Sequence, residues 1–188
     1  MSSLRTAIEI GAGDYRTCYC IKKPFHEIVL YEPNHLLAED IRKKAKLSGV
    51  SLVEKAVFNK NGKHKFYNFG FGGYLQGVPS FMNLSFPDPI EEALEPISTM
   101  VETIDVACIN VGGFDFLNLT CCGSELAIIE RAKELPRVVR TVQYIQSQEQ
   151  GVYSQQVWTS LQNRGYQILS HQPGRLNTYF ETIFKKHD

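Results

Sequence analysis

Two glycines and a glutamate carry the first chemical suggestion in this sequence. Gly11 and Gly13 follow the apolar run Ile8-Glu9-Ile10, and Glu32 closes a second apolar run, Ile28-Val29-Leu30-Tyr31, about twenty residues further on. Glycine reaches φ > 0 and lets backbone N–H groups approach another molecule closely. A carboxylate at the tip of a second strand can accept hydrogen bonds from both ribose hydroxyls of a nucleoside. Each feature alone is common: many Gly-x-Gly turns are only turns, and many strand-end glutamates are only solvated. Together at this spacing they point to a nucleoside site at the carboxyl edge of a parallel sheet.

Such a site needs strands to deliver it and helices to cover the sheet. Residues 6–10 and 27–33 read as the first two strands. Residues 14–23 can form a short helix, with Asp14 and Thr17 available as caps and Pro24 as its stop. Asn34 can cap a helix over 35–47, with Leu36, Leu37, Ile41, Ala45 and Leu47 on its apolar side. Residues 50–58 read as a third strand, which a turn at 59–62 joins to 63–69 as a β-hairpin. Residues 70–89 combine glycine and proline with Phe71, Tyr74, Phe81, Met82 and Phe86. They read either as a lid over the pocket or as a loop packed on the sheet.

Beyond that loop, residues 105–111 read as a fourth buried strand ended by Gly112-Gly113. A helix over 124–135, a fifth strand over 137–145 and a helix over 154–163 follow. Residues 166–171 and 178–185 read as a closing antiparallel pair. This order predicts an α/β chain: a Rossmann-like, doubly wound, seven-stranded, mostly parallel sheet with a C-terminal antiparallel hairpin, in a single domain over 1–188.

Composition excludes more than it selects. The 188 residues contain 20 basic and 20 acidic side chains, so nothing in the net charge points to a nucleic-acid backbone or an anionic membrane. Near-zero charge favours self-association, which leaves a homo-oligomer open. The five cysteines are Cys18, Cys20, Cys108, Cys121 and Cys122, with no Cys-x-x-Cys spacing, and the five histidines form no ligand pair. The expectation is buried thiols in a reducing compartment and no metal site. The first residues lack a signal core and no run approaches a membrane span, so the expected location is cytoplasmic.

Several short stretches occur in a telling order. They are Glu9-Ile10-Gly11-Ala12-Gly13, Tyr31-Glu32-Pro33, Ala56-Val57-Phe58 followed by Gly62 and Phe66, Cys108-Ile109-Asn110-Val111-Gly112-Gly113, and Leu161-Gln162-Asn163-Arg164-Gly165-Tyr166. In this order the chain resembles the S-adenosylmethionine-dependent class I methyltransferases, and most of all their FkbM type. The resemblance implies S-adenosylmethionine as cofactor, held by Glu9, Gly11, Ala12, Gly13, Glu32, Pro33, Ala56 and Val57, and methyl transfer to a hydroxyl of a small-molecule or glycan-type acceptor. It also marks departures. Tyr15 stands where the cofactor turn usually has another glycine. The family's fourth strand usually reads Lys-Ile-Asp-Val-Glu-Gly, so in the stretch 108–113 the lysine, aspartate and glutamate are all missing. Asp115 sits close to the place of a further acidic residue.

Methyl transfer from a sulfonium is an in-line displacement that depends on alignment and on exclusion of water, and a base near a hydroxyl acceptor assists it. On this reading Asn110 offers a hydrogen-bond acceptor at the reaction site. Asp115 offers a base if it faces the pocket, and is otherwise a helix-start carboxylate beside the dipole. Two outcomes stay open: an active methyltransferase, or a catalytically degenerate fold that binds a ligand or serves assembly. A nicotinamide-binding reading meets Arg16 where Gly-x-Gly-x-x-Gly requires its last glycine.

Overall fold

The computed structural model describes residues 4–45, 48–68, 73–75, 98–144, 148–173 and 179–187. Strand β1 (Thr6–Ile10) lies near the middle of a seven-stranded sheet. On one side of it stand β2 (Glu27–Tyr31) and β3 (Val50–Val53). On the other stand β8 (Phe116–Leu119), β9 (Val138–Tyr144), β11 (Tyr179–Lys186) and β10 (Tyr166–Pro173), in that spatial order. Only β11 runs against the rest, pairing antiparallel with both β9 and β10. The predicted fold class and closing antiparallel pair are therefore present. Central parallel strands are covered on both faces, and Ala7, Ile8 and Ile10 are accordingly buried.

Helix α1 (His35–Lys44) starts at the predicted cap, where Asn34 Oδ1 accepts from Leu36 N at 3.0 Å. Helices α2 (Glu125–Arg131) and α3 (Gln148–Asn163) cover one sheet face. There Ile128, Ile129, Val157 and Leu161 pack with Ile8, Leu117, Val139 and Phe184. No helix among the described residues is long and apolar enough to cross a membrane.

Three local expectations are corrected. First, residues 50–58 are not one strand. Lys55 N donates to Val53 O at 3.0 Å in a tight turn at Glu54, and β4 (Ala56–Phe58) departs to a second sheet. That sheet runs β4, β7 (Ser98–Asp105), β5 (Gly62–Asn68) and β6 (Gly73–Leu75). β7 inserts between β4 and β5, so the two form no hairpin. Second, residues 14–23 form no α-helix, only turns and a 3-10 segment at Cys20–Lys22. The Glu9 carboxylate takes the N–H groups of Tyr19 and Cys20, which a helix would have given to its own carbonyls. Third, the fourth strand of the main sheet is Phe116–Leu119. Residues 105–113 instead end β7 and continue through two 3-10 turns.

Of the proposed lid over 70–89, the described residues are Gly73–Leu75, which pair antiparallel with β5. The remainder lies outside the described residues.

Candidate functional site

The chain order of the main sheet reverses direction beside β1, with β2 on one side and β8 on the other. Open α/β sheets hold ligands at the carboxyl end of such a switch point. A cleft of about 660 Å³ opens there, within the roughly 300–1,000 Å³ of small-molecule sites. Gly11, Ala12 and Gly13 line it after β1, Glu32 and Pro33 after β2, and Ala56 and Val57 from β4. Seven of the eight residues expected at the cofactor thus share one wall. Strand β4 reaches that wall because the turn at Glu54 redirects it.

The glycine turn is built differently from the expectation. Gly11 and Gly13 do adopt positive φ, at 81° and 67°. A Cβ on Gly11 would meet Thr120 O at 2.6 Å, so this glycine lets β1 and β8 end side by side. The turn's N–H groups are already bonded within the chain. Those of Gly11 and Ala12 donate to Tyr31 O, that of Gly13 to Glu32 Oε2 at 2.8 Å, and that of Tyr15 to Asp40 Oδ2. The turn supplies shape and close approach, and these N–H groups are engaged within the chain, which turns attention to the lining side chains.

Glu32 is the foremost of these. It is only 4% exposed yet lines the cleft. Its Oε1 accepts from Asn34 N at 2.8 Å and its Oε2 from Gly13 N. A carboxylate has about four lone-pair sites, so two stay available. Burial pushes its pKa up to about 7, against the pull of the Asn34 and Gly13 N–H groups.

Glu9 is the eighth residue, and it does not line the cleft. It is 1% exposed beneath the turn. Its Oε1 accepts from Tyr19 N (2.9 Å) and Asn118 Nδ2 (2.7 Å), and its Oε2 from Cys20 N (2.7 Å) and Cys18 Sγ (3.3 Å). It braces the β1–β2 connection and touches no ligand space.

The two residues expected at the reaction centre lie at the wrong edge. Asp115 N donates to Thr6 O, at the amino end of β1, whereas the glycine turn follows its carboxyl end. Five residues of strand separate them, roughly 16 Å at about 3.3 Å per residue. Asp115 Oδ2 instead accepts from Arg5 N, Thr6 N and Thr6 Oγ1 at 2.8–3.1 Å, and the two N–H groups hold its carboxyl below the usual range. Asn110 is exposed on the connection entering the amino end of β8. Neither lines the cleft. Asp115→Asn is accordingly expected to lower stability by about 1–2 kcal/mol in urea unfolding and to leave ligand affinity in the cleft unchanged. A large loss of affinity would return Asp115 to the site.

The carboxyl end of β8 carries the residues that sequence reading missed. Thr120, Cys121, Cys122 and Ser124 line the cleft. Cys122 has φ +50°, a strained value for a residue with a Cβ. The turn is clamped from behind: Glu125 Oε2 accepts from Gly123 N at 2.8 Å, and the Tyr153 hydroxyl lies 2.7 Å from Gly123 O and 3.0 Å from Glu125 Oε2. Burial, with the charges of Glu125 and Glu32 nearby, pushes the Cys122 thiol up to about 12.

Comparison with solved structures gives this arrangement its context. Ribosomal protein L11 methylase from Lactobacillus delbrueckii subsp. bulgaricus matches with a TM-score of 0.56 and 10% identity, over 100% of this chain and 73% of that one. Aeropyrum pernix fibrillarin, solved with natively bound S-adenosyl-L-methionine, matches with 0.55 and 10%, over 96% and 66%. Methyltransferase FkbM from Methylobacillus flagellatus KT matches with 0.53 and 11%, over 97% of this chain and 43% of that one. The fold is that of the S-adenosylmethionine-dependent methyltransferases. At these identities the likeness is one of fold, and FkbM stands as one neighbour among several methyltransferases. No family model and no curated protein matches the sequence.

In this methyltransferase fold the strand-end run is Asn118-Leu119-Thr120-Cys121-Cys122-Gly123. It ends beside the glycine turn at the carboxyl edge of the sheet, whereas Cys108–Gly113 precede the amino end of β8. The signal was present in the sequence: an apolar run ended by a glycine, as at Gly11, and here followed by a helix opening at Glu125.

Proposed function

We propose that the cleft binds S-adenosylmethionine and that the chain transfers its methyl group to a hydroxyl of a small-molecule or glycan-type acceptor, as the FkbM-type resemblance implies. The observation that carries this reading is Glu32, a buried carboxylate at the mouth of the switch-point cleft with lone pairs left over. Its two unused sites suit the ribose hydroxyls, Ala56 and Val57 offer an apolar wall to the base, and Arg16 can receive the amino-acid carboxylate. When bound, the sulfonium would supply a methyl carbon whose bond to sulfur breaks, leaving S-adenosylhomocysteine, as its bond to the acceptor oxygen forms and the hydroxyl proton passes to solvent. The chain's residues align the two partners and keep water out.

A second reading, ligand binding without rapid turnover, is favoured by the β8 strand end. Thr120, Cys121 and Cys122 bring no carboxylate there, and the Cys122 thiol stays protonated at neutral pH. Among the described residues the other lining carboxylate is Glu181, which is paired with Arg140 at 2.8 Å. Assistance by a general base is typically worth about 10²–10⁴-fold, so turnover on simple hydroxyl acceptors is expected to be slow.

Calorimetry with S-adenosylhomocysteine and S-adenosylmethionine is expected to show saturable binding of both. Absence of heat with either at high concentration would sink the donor-binding reading. Rapid methylation of a hydroxyl acceptor would decide for the first reading over the second.

A further inference from the structure

The lining of the cleft differs in charge from the chain as a whole. Overall, basic and acidic residues balance at 20 each. The described lining residues include five basic side chains, Arg16, Lys22, Lys23, Lys55 and Arg140, against two carboxylates, Glu32 and Glu181. Lys55 is paired outward with Glu102 at 2.9 Å.

Arg140 is the unusual member. It is 5% exposed and still lines the cleft. One terminal nitrogen donates to Asn118 Oδ1 at 2.7 Å, and the other pairs with the half-buried Glu181 at 2.8 Å. Its Nε is buried and has no hydrogen-bond partner among the described residues. A buried N–H of a charged group is costly to leave unmet, so the hydrogen bonding of this cleft-lining guanidinium is incomplete within the described residues.

The guanidinium is also firmly mounted. Glu9, Asn118 and Arg140 are register neighbours on β1, β8 and β9. Glu9 holds Asn118 through its amide and holds Tyr19 through its N–H. The Arg140 guanidinium lies 4.1 Å from the centroid of the Tyr19 ring, and Lys23 Nζ lies 4.9 Å from the same centroid. One buried carboxylate therefore holds both the amide that orients Arg140 and the backbone of Tyr19, whose ring both cations approach. Preorganised cations of this kind suit an anion, because no side chain must be ordered when it arrives.

Arg140 stands two strands from β1, roughly 10 Å at about 4.8 Å per strand, on the side away from Glu32. We infer that Arg140 and Lys23 form a subsite for an anionic group, phosphate or carboxylate, on the methyl acceptor, so that the acceptor is an anionic small molecule. This inference rests on the donor reading above and names the substrate class for that same cleft.

The test uses phenyl phosphate, benzoate and benzyl alcohol as probes, titrated into the full chain by calorimetry with and without saturating S-adenosylhomocysteine. Phenyl phosphate or benzoate is expected to bind at least about tenfold more tightly than benzyl alcohol, the scale of one charge-assisted hydrogen bond. The tighter of the two anions identifies which group the acceptor carries. Arg140→Gln, and separately the exposed Lys23→Ala, are expected to weaken the anion by about tenfold with S-adenosylhomocysteine affinity unchanged.

Equal binding of the alcohol, or anion affinity unchanged in Lys23→Ala, overturns the inference. So does displacement of the anion by S-adenosylhomocysteine, which would assign these cations to the donor. Failure of S-adenosylhomocysteine to bind overturns the donor reading instead, while the titration without it still reports on the anion subsite.

Discussion

Glu32→Gln is expected to weaken S-adenosylhomocysteine binding by about 10- to 100-fold, the scale of hydrogen bonds to a charged group, and to abolish the pH dependence of that binding. The hydroxyls of a ribose donate, so they favour the ionised carboxylate. Burial has pushed the Glu32 pKa up to about 7, so the free protein is partly protonated at neutral pH. Affinity in the unaltered protein should therefore rise as pH rises through about 7 and then level off, with proton release on binding.

The same shift acts on stability with the opposite slope. From the ordinary carboxyl value of 4.5 upward the unfolded chain gives up this proton, while the folded chain keeps it until about 7. The contribution of Glu32 is fully present below the lower value and is lost as pH rises through the higher one. Glutamine removes both effects. Calorimetry at several pH values reads the first, and urea unfolding over the same range reads the second. Affinity that is flat in pH before the substitution, or unchanged by it, would show that Glu32 does not meet the ligand.

Glu9→Ala is expected to cost about 3–5 kcal/mol of folding stability, since several buried donors lose their acceptor together. Tyr19 N, Cys20 N and Asn118 Nδ2 would each be left facing a cavity, as would the Cys18 thiol. Glu9→Gln keeps one acceptor oxygen and should fall between the two. Urea denaturation followed by circular dichroism measures both. A loss below about 1 kcal/mol for the alanine variant would mean that the 14–23 connection finds other partners, and the brace assigned to Glu9 would be wrong.

These two glutamates also show where reading the sequence succeeds and where it stops. Both belong to stretches that single themselves out, because an acidic residue inside or at the end of an apolar strand demands a partner. The position of Glu32 at the cleft was legible, and that of Glu9 was not. Glu32 faces the cleft, whereas Glu9 points beneath the turn into a set of N–H groups contributed by residues 10 and 11 positions later and by Asn118 on another strand.

The fourth strand makes the same point from the other side. Residues 105–111 have the apolar composition of a buried strand, and Gly112-Gly113 follow them as glycines should. The backbone there nevertheless turns twice, and β8 begins only at Phe116, where its register with β1 and β9 buries all four of its residues. Choosing between two adjacent apolar runs requires the partner strands, so a local reading puts Asn110 and Asp115 at an edge of the sheet that they do not occupy. Strand β4 was likewise hidden, because its partner β7 lies more than forty residues away in the chain, and no local turn signal reports such a pairing.

By itself, then, the sequence determined what nearest neighbours and periodicity control: the β1-glycine turn, the strand ending at Glu32, the Asn34 cap, the closing antiparallel pair and the α/β class. These depend on φ preferences, capping and strand alternation within a few residues. Only the tertiary structure decided which strand end faces the glycine turn, that the turn's N–H groups are already bonded, and that Arg140 reaches the cleft through Asn118 and Glu9. Those depend on register between strands distant in the chain, where a shift of one residue turns every side chain to the opposite face.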